Sequence, residues 1–100
     1  MDRNGLQCLD KTDNISGLGD LVTKFQSFDW LARDVDGHDI KEIDDYLGCD
    51  SFGRPKLLVA HTVKGKGISY MENNSIFHAR LPNEEEIKIA RRELYEKDVR

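Results

Sequence analysis

"KLLVAHT", residues 56–62, is an apolar run in which polar and non-polar positions do not alternate. A strand with one wet face alternates, so the unbroken run through Leu57, Leu58, Val59 and Ala60 reads as a strand buried on both faces, as in a parallel sheet covered by helices. Parallel strands need crossover segments, and the flanking sequence supplies them. Upstream lies the turn-rich connector "DSFGRP" (50–55), preceded by a stripe of Ile40, Ile43 and Leu47 that predicts a helix. Asp36 or Asp39 can cap that helix and Gly48 can end it. Further back, "WLARDVD" (30–36) reads as a short strand. In "GLGDLVTKFQSF" (17–28), Leu18, Leu21, Val22, Phe25 and Phe28 recur at helical spacing. Downstream, "PNEEEIKIARRELYEKDVR" (82–100) predicts a helix capped by Asn83, with acids early and bases late as the helix dipole favours, and with Ile87, Ala90 and Leu94 on its inner face. Helix, strand, helix, strand, loop, helix is the order of an open α/β domain, a partial parallel sheet flanked by helices.

Composition narrows the function. A chain of 100 residues with 38% hydrophobic content supplies one modest core. Its net charge of −4, from 15 basic and 19 acidic residues, argues against a broad nucleic-acid face, so any anion site has to be local. Cys8 and Cys49 lie far apart with no CxxC grouping, which predicts reduced thiols in a cytoplasmic setting. No apolar run reaches membrane-spanning length, and "MDRNGLQCLD" lacks the apolar core of a signal peptide.

The segment most loaded with chemistry is "HTVKGKGISYMENNSIFH" (61–78), which follows the buried strand. Ligands of open α/β sheets sit beyond the carboxyl ends of the strands, so this placement favours a binding loop over an arbitrary turn. Three readings compete for it: a phosphate-cradling loop, a His61/His78 metal pair, and a solvated basic turn. A nucleotide P-loop requires a hydroxyl residue after its lysine, where "VKGKGIS" has Gly67. The metal pair has no supporting third ligand. A calcium loop in "DVDGHDIKEIDD" also fails, because aligning Gly37 with the loop glycine puts Ala32 and Ile43 at ligand positions. "VDGHDI" reads instead as a tight strand-to-helix turn with capping aspartates.

Taken together, "DRNGLQ", "FDWLARDVDGHDI", "KLLVAHTVKGKGISYMENNSIFH" and "LPNEEEIKIARREL", in this order and spacing, closely resemble the thiamine-diphosphate-binding domain of transketolase. The likeness is strongest to the N-terminal subunit of the split form. It covers nearly the whole chain, and implies that residues 1–100 are the C-terminal part of that domain, without the part bearing the family's Gly-Asp-Gly. The implied activity is transfer of a two-carbon ketol unit between sugar phosphates, with thiamine diphosphate and Mg2+. The implied partner is a pyrimidine-binding domain or C-terminal transketolase subunit, and association is expected.

On the same resemblance, Asn4 matches the Asn that ends the family's metal motif, and the carbonyl of Leu6 matches the backbone ligand. Hard oxygen donors of this kind suit magnesium, which takes the rest of its shell from phosphates and water. His78 matches a histidine near the cofactor's diphosphate and the reacting end of the substrate, where an imidazole can move a proton. The family's glycine after that histidine is Ala79 here. Gly65 and Gly67 would let the backbone turn tightly beside a ligand, and Lys64 and Lys66 make the loop locally positive. The resemblance assigns this loop to the cofactor cleft, while solvated lysines remain the plain alternative. His61 has no catalytic counterpart and reads as a packing or hydrogen-bonding residue. The chain is expected to be inactive alone, and a noncatalytic α/β interaction module remains the alternative.

Overall fold

A computed structural model of the chain describes residues 1–6, 10–12 and 17–98, with the side chains of 97 and 98 excepted. Cys8 lies outside the described residues; Cys49 is an exposed free thiol. The chain divides into two compact units, Met1–Asn4 with Ser16–Thr62, and Gly5–Ile15 with Val63–Arg100.

The first unit is an α/β layer. Its strands β1 (Asp2–Arg3), β2 (Leu31–Asp36) and β3 (Lys56–His61) form a wholly parallel sheet in the order β1-β3-β2. Leu31 pairs with Lys56 and Asp36 with His61, while Asp2 and Arg3 pair with Ala60 and His61. The run that predicted a doubly buried strand is the central one, and Val59 at its middle is 0% exposed. On β2, Ala32 and Val35 are both buried. They are three residues apart and therefore point to opposite faces, so both sides of the strand are covered. Helices α1 (Leu21–Gln26) and α2 (Ile40–Gly48) both pack on β2 and β3.

Helix α1 is shorter than its apolar periodicity suggests. Asp20 caps it by accepting from the Thr23 amide at 3.0 Å, which leaves Leu18 outside the helix. At the other end the Phe28 and Asp29 amides fall back on Phe25 and Gln26 in a tightened turn, and Asp29 adopts φ 68° to reverse the chain into β2. Phe28 is left exposed, and of the apolar stripe only Leu21 is buried. In α2 the cap is Asp39, accepting from Glu42 at 3.1 Å, whereas Asp36 accepts from the His38 amide at 2.8 Å in the preceding turn. Ile40 and Leu47 are exposed; the buried member of α2 is Tyr46, whose hydroxyl reaches the Leu31 carbonyl. Lys56 closes the helix by donating its ammonium to the carbonyls of Tyr46, Leu47 and Cys49.

Gly37 does make the tight turn after β2, through close approach and not through an unusual φ. A Cβ there would lie 2.3 Å from the Thr62 methyl and 3.0 Å from the His61 carbonyl. That carbonyl accepts from the Gly37 amide at 2.8 Å.

The second unit holds a loop from 63 to 74, a 3-10 helix (Ser75–His78) and α3 (Glu84–Asp98). Asn83 caps α3 as expected. Its side chain accepts from the Glu86 amide at 2.9 Å, and Glu86 in return accepts from the Asn83 amide at 2.8 Å, a reciprocal capping box. Ile87 and Leu94 remain 40% and 45% exposed, so this helix carries an apolar face that is only partly covered. Among the described residues no helix is long and apolar enough to cross a membrane.

Candidate functional site

Three parallel strands send their carboxyl ends to one edge of the sheet. There the Thr62 amide donates to the Arg3 carbonyl at 3.2 Å, and the Thr62 hydroxyl donates to the Asp2 carboxylate. Asn4 follows β1 at this edge, Gly37 follows β2, and Thr62 leads from β3 toward Val63. His61 is hydrogen-bonded to Asp34 at 2.6 Å, with both side chains about half exposed, which fits the hydrogen-bonding role expected of it.

Of the residues singled out from the sequence, Asn4 ends its segment of the first unit, whereas Leu6, Lys64, Gly65, Gly67 and His78 all belong to the second. Leu6 pairs with Lys11 in an antiparallel bridge, and the Gly5 carbonyl beside it accepts from Thr12 at 2.8 Å.

Lys64, Gly65 and Gly67 share one closed loop. Its base is fastened by the Asn73 amide, which donates to the Lys64 carbonyl at 2.9 Å. Both glycines are needed for the turn, with φ of 75° at Gly65 and 99° at Gly67. The space beside Gly65 is filled by the loop itself, since a Cβ there would lie 2.6 Å from the Met71 backbone. The amides also turn inward. Lys66 donates to Val63 and Ile68 to Gly65, both at 3.1 Å, while Gly67 donates to the Glu72 carboxylate at 3.0 Å and Ser69 to Glu93 at 2.7 Å. From Lys66 to Ser69 the loop therefore keeps its donors for its own unit. Lys64 is partly buried and Lys66 exposed.

His78 ends the 3-10 helix and is exposed. Its neighbours are anchored. The Phe77 ring lies 5.4 Å from that of Tyr70, and the Arg80 guanidinium lies 4.8 Å over Phe77. Arg80 also grips both oxygens of Glu86 at 2.8 Å. This pairing, reinforced by the Asn83 amide, holds the Glu86 carboxyl below its usual range. The Tyr70 hydroxyl donates to the Glu86 carbonyl at 2.8 Å. Desolvation, helped by Glu86 and Glu93, raises the Tyr70 phenol above its ordinary value. The contributions of Glu72, Glu86 and Glu93 were not legible from motif spacing, apart from the Asn83-x-x-Glu86 pattern of a capping box.

No family model matches the chain. Curated relatives do. Over 99 residues, 97% of the chain, it is 32% identical to one of the subunits of the apulose-4-phosphate transketolase of Phocaeicola vulgatus. Over 95 residues, 93% of the chain, it is 33% identical to a 6-deoxy-6-sulfo-D-fructose transketolase subunit of a Clostridium species. The chain belongs to the transketolase family. It spans 35% and 34% of the length of these two relatives. A shorter match, 34% identical over 59 residues, joins 55% of the chain to 9% of the transketolase of Rattus norvegicus.

The family's donor chemistry can be set against the residues present. Among the described residues no group of three or more His, Cys, Asp or Glu could hold a metal ion. At the positions of the resemblance stand two neutral oxygens of the hard kind magnesium accepts, the side-chain oxygen of Asn4 in the first unit and the carbonyl of Leu6 in the second.

Proposed function

We propose that this chain forms one wall of a thiamine-diphosphate site in a split transketolase, and that it acts only when assembled with a subunit carrying the pyrimidine-binding domain. The observation that carries this reading is the similarity to transketolase subunits along 97% and 93% of the chain. The exit of Asn4 and Thr62 from neighbouring parallel strands supports it, because ligands of such sheets gather at that edge. Within this reading residues 1–100 are the C-terminal part of the cofactor domain. Asn4 and Leu6 hold magnesium, Lys64, Gly65 and Gly67 line the cleft, and His78 hydrogen-bonds and moves a proton at the reacting end of the substrate. When bound, the cofactor supplies the carbanion-stabilising chemistry of ketol transfer between sugar phosphates, and the protein supplies binding and orientation. The setting is cytoplasmic.

Titration calorimetry with thiamine diphosphate and Mg2+, with and without a candidate partner subunit, tests the proposal. Binding is expected only in the presence of the partner; tight binding by the chain alone overturns the claim of a shared site. A second reading, a noncatalytic interaction module, draws on exposed apolar side chains such as Phe28, Phe52 and Leu81, at 76%, 77% and 86% exposure. Stable self-association with no cofactor binding in either arm would favour it.

A further inference from the structure

We propose that Glu86 and Glu93 are positioning residues, two carboxylates on one face of α3 that fix the lysine-glycine loop and the turn bearing His78. The inference rests on the reading of that loop and of His78 as a cofactor wall. Residues seven apart on a helix lie on the same side, two turns from one another. Glu93 accepts from both donors of Ser69, the amide at 2.7 Å and the hydroxyl at 2.5 Å. Ser69 sits between Gly67 and the Met71 backbone against which Gly65 closes, so holding it holds the segment those glycines shape.

Glu86 makes the second clamp. Its side chain takes both Arg80 bonds and its carbonyl takes the Tyr70 hydroxyl. Tyr70 in turn touches Phe77, and Phe77 lies under Arg80. His78 lies in the chain between Phe77 and Arg80, so its backbone is fixed from both sides by contacts that end on one turn of α3. Isolated surface ion pairs contribute little. These two differ in kind, since one sets both of its oxygens on a single guanidinium nitrogen and also takes the Asn83 amide, and the other accepts a backbone N–H and a hydroxyl from a single residue.

Amide hydrogen exchange by NMR on the full chain tests this, comparing wild type with Glu93→Ala, Glu93→Gln and Glu86→Gln. Glu93→Ala is expected to speed exchange at Ser69 and Gly67 by about tenfold or more, the factor that follows from losing a hydrogen bond to a charged acceptor. Glu93→Gln keeps one acceptor oxygen and should recover part of the protection. The Val59 amide should stay at its wild-type rate in all three, and Glu86→Gln should shift the His78 ring resonances. Unchanged exchange at Ser69 and Gly67 in Glu93→Ala overturns the proposal. So does an equal acceleration at Val59 in Glu93→Gln, which would mark a global loss of structure. Failure of the wild-type chain to bind thiamine diphosphate with any partner removes the cofactor reading instead, and leaves the exchange result to decide the clamp.

Discussion

The Tyr46 hydroxyl donates to the Leu31 carbonyl at 2.8 Å, and so ties α2 to the first residue of β2. Tyr46→Phe removes this bond and keeps the ring, so denaturant unfolding should show a loss of about 1 kcal/mol. Burial raises the Tyr46 phenol above its ordinary 10.0. Above that pH the unfolded chain ionises first, so stability is whole below pH 10 and declines as pH rises through the folded value. Tyr70 adds a slope of the same sign. Tyr46→Phe should therefore flatten part of the alkaline decline, which unfolding midpoints measured from pH 9 upward would reveal.

Val59 tests the sheet. Truncating this fully buried side chain to Ala should cost about 2 kcal/mol from lost burial and the cavity left in the central strand. Chemical denaturation is the direct measure.

Gly65 and Gly5 separate two glycine effects. Both have positive φ, but a Cβ meets the Met71 backbone at Gly65 and nothing within 4 Å at Gly5. Gly5→Ala should cost about 1 kcal/mol from left-handed strain alone. Gly65→Ala should add a steric penalty of about 2 kcal/mol or more and open the loop, seen as faster exchange of the Asn73 amide.

Acid should act through Glu86. Its folded carboxyl titrates below the ordinary 4.5 because Arg80 and the Asn83 amide favour the charged form. Its contribution is therefore present above that value and is lost as pH falls through the lower folded one. Arg80→Gln should move the Glu86 titration, followed by carboxyl NMR shifts, back toward 4.5 and remove its part of the acid transition.

His78 should separate function from folding. Its side chain is exposed, so His78→Ala should leave the free energy of unfolding within about 0.5 kcal/mol of wild type. On the role proposed for His78, the same change in the assembled enzyme should lower kcat by roughly a hundredfold, the scale of a lost proton-transfer group.

Where the sequence is most regular, it determines the fold most directly. The apolar run at 56–62 predicts β3 as a central parallel strand because an unbroken apolar pattern has one economical solution, and the Asn83 cap marks the start of α3 for a similarly local reason. Helix α1 is misjudged at both ends. Leu18 and Phe28 keep the helical period, yet the Asp20 cap and the left-handed Asp29 cut the helix between them. Tyr46 escapes notice because its burial comes from a contact with β2, and periodicity along α2 gives no view of that strand. In the site, Lys64, Gly65, Gly67 and His78 are conspicuous by type. Glu72 and Glu93 look like ordinary solvated acids until the chain folds, since their importance lies in amides 5 and 24 residues away.

The amino group of Met1 donates to the Leu58 carbonyl at 2.7 Å, in step with the ladder that continues through Ala60 and Thr62. With the Met1 carbonyl taking the Ala60 amide, the segment Met1–Arg3 covers one side of β3, so a change there that broke these bonds would bare the backbone of the sheet's central strand to other chains.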